Sequence, residues 1–464
     1  MTKAISYLAL LVLTAAALAA GRWIGVSLDD RQIESLTVFL GLVYGFLLFE
    51  DHRLAVSLGG VAILLFAGLL TVDQFIVFSS PDVLVFLLGT FLVAGYLEES
   101  RFFEYLAITI VLMVGRRPTL LLAVLMLAAM ITSAIVGEVA AILFVGGAML
   151  YLARRCNIQA APFLMMLVFA TNTGSAATAF GPVGVTIALR ANLSVLEFFR
   201  WATPISLCVL VLVFVLCRWL LARQWNEFTG AVHREHATMV IPNPAVARLV
   251  LWRGGALVAV MAALFVFHAP IEHALKLSPN VALVGAALAA GAAALALSGR
   301  RATELIERHV DWATLAFFMM LFIAVGAMEA TGVTSALAGG LSHATGGHPA
   351  AMVLTVGWAT GLLSALLANM LAVAAFLPIV AQLGAHGAAC PHSVYWLMLF
   401  GATFMGNMTT VGSTCNIIAC GMSEKRGHGR IGFTYWLKYG LIVSLCSMIL
   451  ATILLAVQTE GLAK

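Results

Sequence analysis

Apolar runs of about 17 to 25 residues recur along the whole chain, each long enough to cross about 30 Å of hydrocarbon as a helix. Polar joints separate them, and nothing alternates with the period of two that a membrane barrel strand needs. The runs place spans near 4–25, 36–50, 54–72, 82–98, 160–189, 195–218, 249–268, 279–298, 311–329, 393–423 and 432–456. Segments 102–115 and 333–345 are amphipathic and are expected along the membrane interfaces. The polar stretch 222–248 divides two halves and is expected to be a cytoplasmic loop. The beginning, "MTKAISYLALLVLTAAALAAGRW", has the Lys, apolar core and small residues of a secretory signal. With ten further spans behind it, an uncleaved first helix is the preferred reading and cleavage the alternative.

Two apolar stretches do not read as simple crossings. Lys and Arg mark cytoplasmic loops. Arg116 and Arg117 precede the stretch 118–153, and Arg154 and Arg155 follow it, so both of its ends fall on the cytoplasmic side. It is therefore expected to be a re-entrant hairpin, with its tip near residues 136–138. After Arg308 no Lys or Arg occurs before Lys425. Within that gap the stretch 350–387 has the opposite flanks and is expected to enter from outside, with its tip at 366–371.

The halves match each other in order. "GYLEESRF" from Gly95 pairs with "GAMEATGV" from Gly326 at a separation of 231, and "SAIVGEVAAILFV" from Ser133 pairs with "SALLANMLAVAAF" from Ser364 at the same separation. "GSAAT" from Gly174 pairs with "GSTCN" from Gly412 at 238, and "FFRW" from Phe198 with "YWLK" from Tyr435 at 237. An odd number of crossings between copies inverts one against the other, a pattern of secondary transporters whose site lies between the copies at the bilayer midplane. The expected organisation is residues 1–35 as an N-terminal helix and loop, 36–221 as the first repeat, 222–248 as linker and 249–464 as the second repeat.

Composition agrees. Of 464 residues, 62% are hydrophobic and 10% charged, where a soluble domain is about one quarter charged. A core cannot absorb so much apolar sequence, so most of it must face lipid. The seven cysteines include no CxxC pair and read as small buried hydrophobes. The net charge of +4 is spread too thinly for a nucleic-acid surface.

Two hydroxyl- and amide-rich stretches interrupt crossing helices: "TNTGSAATAFGP", residues 171–182, and "GNMTTVGSTCN", residues 406–416. Their glycines permit unwinding, which membrane depth tolerates only inside protein or beside water. An unwound helix offers carbonyls to a cation and half-helix N-termini to an anion. Two hairpin tips and two breaks thus converge on one expected site. Its residues are Ser133, Gly137, Glu138, Asn172, Thr173, Gly174, Ser175, Thr178, Ser364, Asn369, Asn407, Thr409, Thr410, Gly412, Ser413, Thr414 and Asn416. Close helix packing through Ser, Thr and Gly is the structural alternative.

Glu138 stands out, with no basic residue within fifteen positions on either side. A carboxylate is expensive in hydrocarbon, so it should line a cavity, where it could carry a proton or ligate Na⁺. Glu138 and Asn369 are the candidate Na⁺ ligands. The alternative is a cap on the second hairpin helix. Asp82 and Asp311 begin spans as caps, Glu98, Glu99 and Glu329 fall at helix ends, and the His pair at 233 and 236 lacks further ligands for a metal. No Lys, Arg or His falls in the stretches expected to form the cavity. An intramembrane enzyme is disfavoured by the lack of HExxH or a paired-acid arrangement at membrane depth.

At "TNTGSAATAFGPVG", "FMGNMTTVGSTCNIIACGMSEK" and "SALLANMLAVAAFLPI" the chain resembles the citrate-transporter-like domain of the ion-transporter superfamily, over about residues 36 to 456. "DWATLAFFMMLFIAVGAMEATGV" is similar to the arsenite-permease branch. The resemblance implies an all-α polytopic membrane protein with about eleven transmembrane helices, two opposed re-entrant hairpins in two inverted repeats, and elevator-like movement of a transport domain. In the dicarboxylate symporters the tips read Ser-Asn-Thr and bind Na⁺ and substrate carboxylates. Here Gly137-Glu138-Val139 and Ala368-Asn369-Met370 stand there, and only Asn369 keeps the pattern. A carboxylate at the first tip opposes an anion unless a cation lies between.

The expected function is secondary active transport of a small anion or oxyanion, carboxylate- or arsenite-like, coupled to Na⁺ or H⁺. The alternative is a sodium/proton antiporter using Glu138. Expected partners are the substrate, the lipid bilayer and a second copy of the chain, with no cofactor beyond bound Na⁺. The expected location is a bacterial inner membrane, N-terminus cytoplasmic and C-terminus outside.

Overall fold

The computed structural model describes residues 28–49, 52–114, 117–235, 244–278, 281–346, 348–385, 391–425 and 428–459. The N-terminal span and His236 lie outside them. The described residues form helices without strands. In the first half these are α1 (Asp30–Leu48), α2 (Arg53–Phe66), α3 (Val72–Phe78), α4 (Pro81–Glu99), α5 (Phe102–Val114), α6 (Pro118–Val136), α7 (Glu138–Arg155), α8 (Ala161–Ser175), α9 (Pro182–Ala191), α10 (Val195–Leu220, with a π-helical turn at Phe198–Ala202) and α11 (Ala222–Glu235). The second half has α12 (Pro244–Val266), α13 (His268–Leu275), α14 (Val281–Ser298), α15 (Ala302–His309), α16 (Trp312–Ala330), α17 (Val333–Ala344), α18 (Pro349–Leu366), α19 (Asn369–Ala385), α20 (Ser393–Met405), α21 (Thr414–Lys425) and α22 (Phe433–Gln458).

Local chemistry sets many boundaries. Reciprocal capping boxes start α1 (Asp29 with Gln32), α3 (Thr71 with Gln74) and α10 (Ser194 with Glu197). Proline, whose missing N–H costs nothing in a first turn, opens α4, α6, α9 and α18. Asp311 caps α16 by accepting from the Thr314 N–H at 2.9 Å. Asp82 does not cap α4: Ser80 holds that position, and Asp82 lies one residue inside the helix.

Eight described helices are long and apolar enough to span a membrane, and two of them, α6 and α18, are first arms of hairpins. Of the expected spans, 4–25 lies outside the described residues, 36–50 falls in α1, and three more are not single long rods for a physical reason. Spans 160–189 and 393–423 are each split into two short helices, at 176–181 and 406–413, and 54–72 stops at Phe66. Both breaks fall in the Gly- and hydroxyl-rich stretches.

The duplication is close. Adding 231 to the bounds of α4, α5, α6, α7 and α8 gives those of α16, α17, α18, α19 and α20 to within one residue. Packing repeats as well: α6 lies along α8 as α18 lies along α20, α7 meets α21 as α19 meets α9, and α4 lies against α14 as α16 lies against α2. One expected register changes. Thr178 donates to the Ala134 carbonyl, and Thr409 donates to the Ala365 carbonyl at 2.6 Å. The equivalence at the breaks is therefore Thr178 with Thr409, again at 231, rather than Gly174 with Gly412 at 238. Hydroxyl-to-hairpin bonding fixes the register there, and the extra residues enter after the break.

The expected loop 222–248 is also corrected, because residues 222–235 form α11. Trp225, Phe228, Ala231 and Val232 recur at helical spacing on its buried face. Trp225 donates from Nε1 to Thr119 Oγ1 at 3.4 Å, so α11 straps the base of the first hairpin.

Candidate functional site

The two hairpins turn differently. Gly137 ends α6 with φ at 101°, in the region L side chains rarely adopt, and no atom lies within 4 Å of where a Cβ would stand. Its need for glycine is therefore conformational. Leu367 turns the second hairpin with ordinary extended angles. Each turn starts a new helix, and its first residue is the expected tip residue, Glu138 for α7 and Asn369 for α19.

The tips meet. Asn369 Nδ2 donates to Glu138 Oε2 at 3.2 Å, and Ser413 Oγ lies 3.2 Å from Glu138 Oε1. Glu138 is 9% exposed and Asn369 1%. Ser364 Oγ lies 3.0 Å from Asn369 Oδ1 and 2.6 Å from the Ala402 carbonyl, and its one proton serves one or the other. Behind the tips lies an amide cluster. Asn172 Nδ2 donates to Asn407 Oδ1 at 2.6 Å and to Asn416 Oδ1 at 3.2 Å, while its Oδ1 faces Ser413 Oγ at 3.0 Å. Ser413 has one proton, so it serves Glu138 or Asn172 but not both. Asn416 Nδ2 donates to the carbonyls of Gly406 and Thr409 at 2.8 and 2.7 Å, satisfying backbone that the break sets free.

The remaining expected residues divide. Thr178 and Thr409 tie the breaks to the hairpins. Gly174 is a packing glycine, since a Cβ there would meet the Met130 carbonyl at 2.2 Å. Thr173 donates back to Phe169 O at 2.8 Å within its own helix. Gly412 lies close to the Gly406 carbonyl, and Thr410 is half-buried in the second break. Ser133 and Ser175 are buried, and their hydroxyls have no hydrogen-bond partner.

A cavity of about 320 Å³ opens onto the tips. Glu138, Pro182, Asn369 and Thr414 all line it, and they are the first residues of α7, α9, α19 and α21. Four half-helix N-termini thus face one space, each carrying partial positive charge and unpaired N–H groups. Phe91, Phe144, Phe180, Phe317 and Phe318 supply apolar walls.

The same lining includes Arg53, Glu98, His309 and Asp311, so basic residues reach the cavity from outside the stretches expected to form it. Arg53 opens the short helix α2 and His309 ends α15. Neither lies in a polar interruption, which is the signal the sequence reading followed. His309 Nδ1 lies 3.3 Å from Glu98 Oε2, so Glu98 is a member of the rim and not only a helix end. Cys415 was also missed, because cysteine reads as apolar. Its Sγ lies 3.3 Å from Asn172 Oδ1 within the amide cluster.

The family model described as citrate transporter, CitMHS, matches residues 44–401 and 337–460. The chain belongs to the citrate transporter family. Among its relatives in that family, an uncharacterized transporter of Mycobacterium tuberculosis strain H37Rv is 32% identical over 381 residues, covering 81% of this chain and 85% of its own length. An uncharacterized transporter of Synechocystis is 29% identical over 447 residues, covering 91% of this chain and 96% of its own length. The YdaH transporter of Alcanivorax borkumensis has the same fold, with a TM-score of 0.59 at 18% identity over 86% of this chain and 89% of its own. This member of the citrate transporter family is thus an integral membrane transporter of a small-molecule substrate, and not an enzyme.

Proposed function

We propose that this chain is a secondary active transporter of a small anion, carboxylate or oxyanion, coupled to Na⁺ or H⁺ through Glu138. The observation that carries the reading is the meeting of four half-helix N-termini at one cavity. Their partial charges favour an anion without burying a full positive charge. Arg53 and His309 in the same lining add cationic character. Glu138 opposes an anion by itself, so a cation, either H⁺ or a metal ion, travels with the substrate. That requirement makes transport coupled.

The basic residues near both ends of the first hairpin support a cytoplasmic origin for it, with the chain in a bacterial inner membrane, its N-terminus inside and its C-terminus outside. The rim of Glu98, His309 and Asp311 then faces the cytoplasm, and the cavity is inward-open. At the opposite end Arg190 of α9 donates to Ser80, the residue just before α4. This contact fits a seal that opens as the hairpins and broken helices move against α4 and α14.

The test is uptake and release by reconstituted vesicles. Citrate, arsenite and sulfate are offered in turn, with and without Na⁺, a divalent cation and a pH gradient. The expected result is movement of one of these anions that requires a co-ion. Proton release on adding Na⁺ alone, with no anion moved, supports the sodium/proton antiporter instead.

A further inference from the structure

The two tips use their equivalent surroundings differently. In the second repeat Asn369 stays with its own hairpin, its Oδ1 3.0 Å from Ser364 Oγ, whose single proton it shares with the Ala402 carbonyl at 2.6 Å. Gly406 makes room for that pose, since a Cβ there would come within 2.2 Å of Asn369 Oδ1. Subtracting 231 gives Glu138 for Asn369, Ser133 for Ser364 and Ser175 for Gly406. Glu138 has left this pose and leans across to Asn369 and Ser413. At the position of Gly406 the first repeat carries Ser175, which has the Cβ that Gly406 lacks. The consequence is that Ser133 Oγ and Ser175 Oγ, 0% and 1% exposed by residue, are left without partners. The Ser175 hydroxyl already lies near the Glu138 carboxylate in this pose, although the pair falls outside hydrogen-bond geometry. A buried hydroxyl lacking a partner is destabilising, so two of them in the first hairpin's neighbourhood call for an explanation.

We infer that Ser133 and Ser175 form a second seat for the Glu138 carboxylate, occupied when an anion takes its place at Asn369, Ser413 and the N-terminus of α21. In the structure described here Glu138 sits where an incoming anion would sit, and its carboxylate is the internal stand-in for that anion. On binding, the side chain swings back toward its own hairpin and the two serine hydroxyls donate to it. Asn369 Nδ2, Ser413 Oγ and the first N–H groups of α21 are then released to the substrate. No bond is made or broken beyond hydrogen bonds. Ser133 and Ser175 are positioning residues that act through Glu138. This inference rests on the reading of the cavity as an anion site.

The probe is citrate. Substrate-induced infrared difference spectra of the wild type should show a shift of a carboxyl band that is absent in Glu138→Gln. Ser133→Ala, Ser175→Ala and the double variant should unfold at or above the wild-type temperature, because neither hydroxyl makes a formed hydrogen bond before binding and removing it relieves an unpaired buried group. Ser364→Ala, which removes a formed hydrogen bond, should be less stable than all three. The double variant should lose at least about tenfold in maximal uptake rate and lose the carboxyl-band shift, with Ser→Thr replacements restoring both in part. Wild-type uptake by the double variant overturns the second seat, as does destabilisation equal to that of Ser364→Ala. Thermal protection of the wild type by citrate without a carboxyl-band shift overturns it too, while leaving the anion site standing. Citrate that neither protects nor is transported overturns the anion site itself, and the inference with it.

Discussion

Replacing Gly406 by Ala tests the placement of the second tip directly. The added Cβ would stand 2.2 Å from Asn369 Oδ1 and 2.9 Å from the Gly412 carbonyl. The first distance must open by about 1 Å to reach ordinary contact, and the side chain of Asn369 is what can yield. It faces Ser364 Oγ, whose proton is shared with the Ala402 carbonyl, at 3.0 Å and donates to Glu138 at 3.2 Å, so yielding disturbs both contacts. A hydrogen bond within a membrane protein is worth about 0.6 kcal/mol on average and up to about 1.7. Leaving buried Glu138 with one partner fewer adds about 1–3 kcal/mol. Ala recovers up to about 1 kcal/mol through its better backbone propensity. The net cost is about 1–3 kcal/mol, carried by two side chains at the centre of the cavity. Thermal unfolding of the purified variant should therefore begin at least about 2 °C lower. Uptake should fall further than stability does, because the displaced group is part of the site. Wild-type unfolding together with wild-type uptake would refute the geometry, since no Asn369 amide could then be lying against Gly406.

Other outcomes follow from the same contacts. Glu138→Gln should fold normally, because the amide oxygen still accepts from Asn369 and the new N–H₂ can donate to Ser413 Oγ, while coupled uptake in vesicles falls at least about tenfold. Unchanged uptake and unchanged pH dependence would remove Glu138 from the mechanism. Thr178→Val and Thr409→Val each delete one hydroxyl bond from a break to a hairpin carbonyl. Each should cost about 1 kcal/mol by unfolding, with Thr178→Val the costlier because its hydroxyl also accepts from the Phe180 N–H at 3.4 Å. Trp225→Ala empties a fully buried site on α11 and should cost about 3–5 kcal/mol, measured as lost thermal stability. A neutral result there would mean that α11 is not packed on the first hairpin. Gly174→Leu pushes into the Met130 backbone carbonyl, which cannot rotate away, and should abolish accumulation of folded protein, read by size-exclusion chromatography.

The sequence alone determined the axial plan of this protein. Apolar run lengths placed the spans, and the basic residues flanking 118–153 and missing around 350–387 marked both hairpins. Glycines among hydroxyls and amides marked both breaks, and the lag of 231 marked the duplication. All of these are properties of position along one helix, and a linear chain carries them openly. The tertiary structure decided what lies beside what. It brought Glu138 to Asn369 across 231 residues and Asn172 to Asn407 and Asn416 across 235 and 244. It turned Arg53, His309 and Glu98 from helix-end residues into the wall and rim of a cavity, and drew Cys415 into an amide cluster. It also folded most of an expected loop into α11. Lateral neighbours depend on which helix faces touch. That choice is made by close packing and hydrogen-bond satisfaction summed over segments hundreds of residues apart, and no local pattern records it.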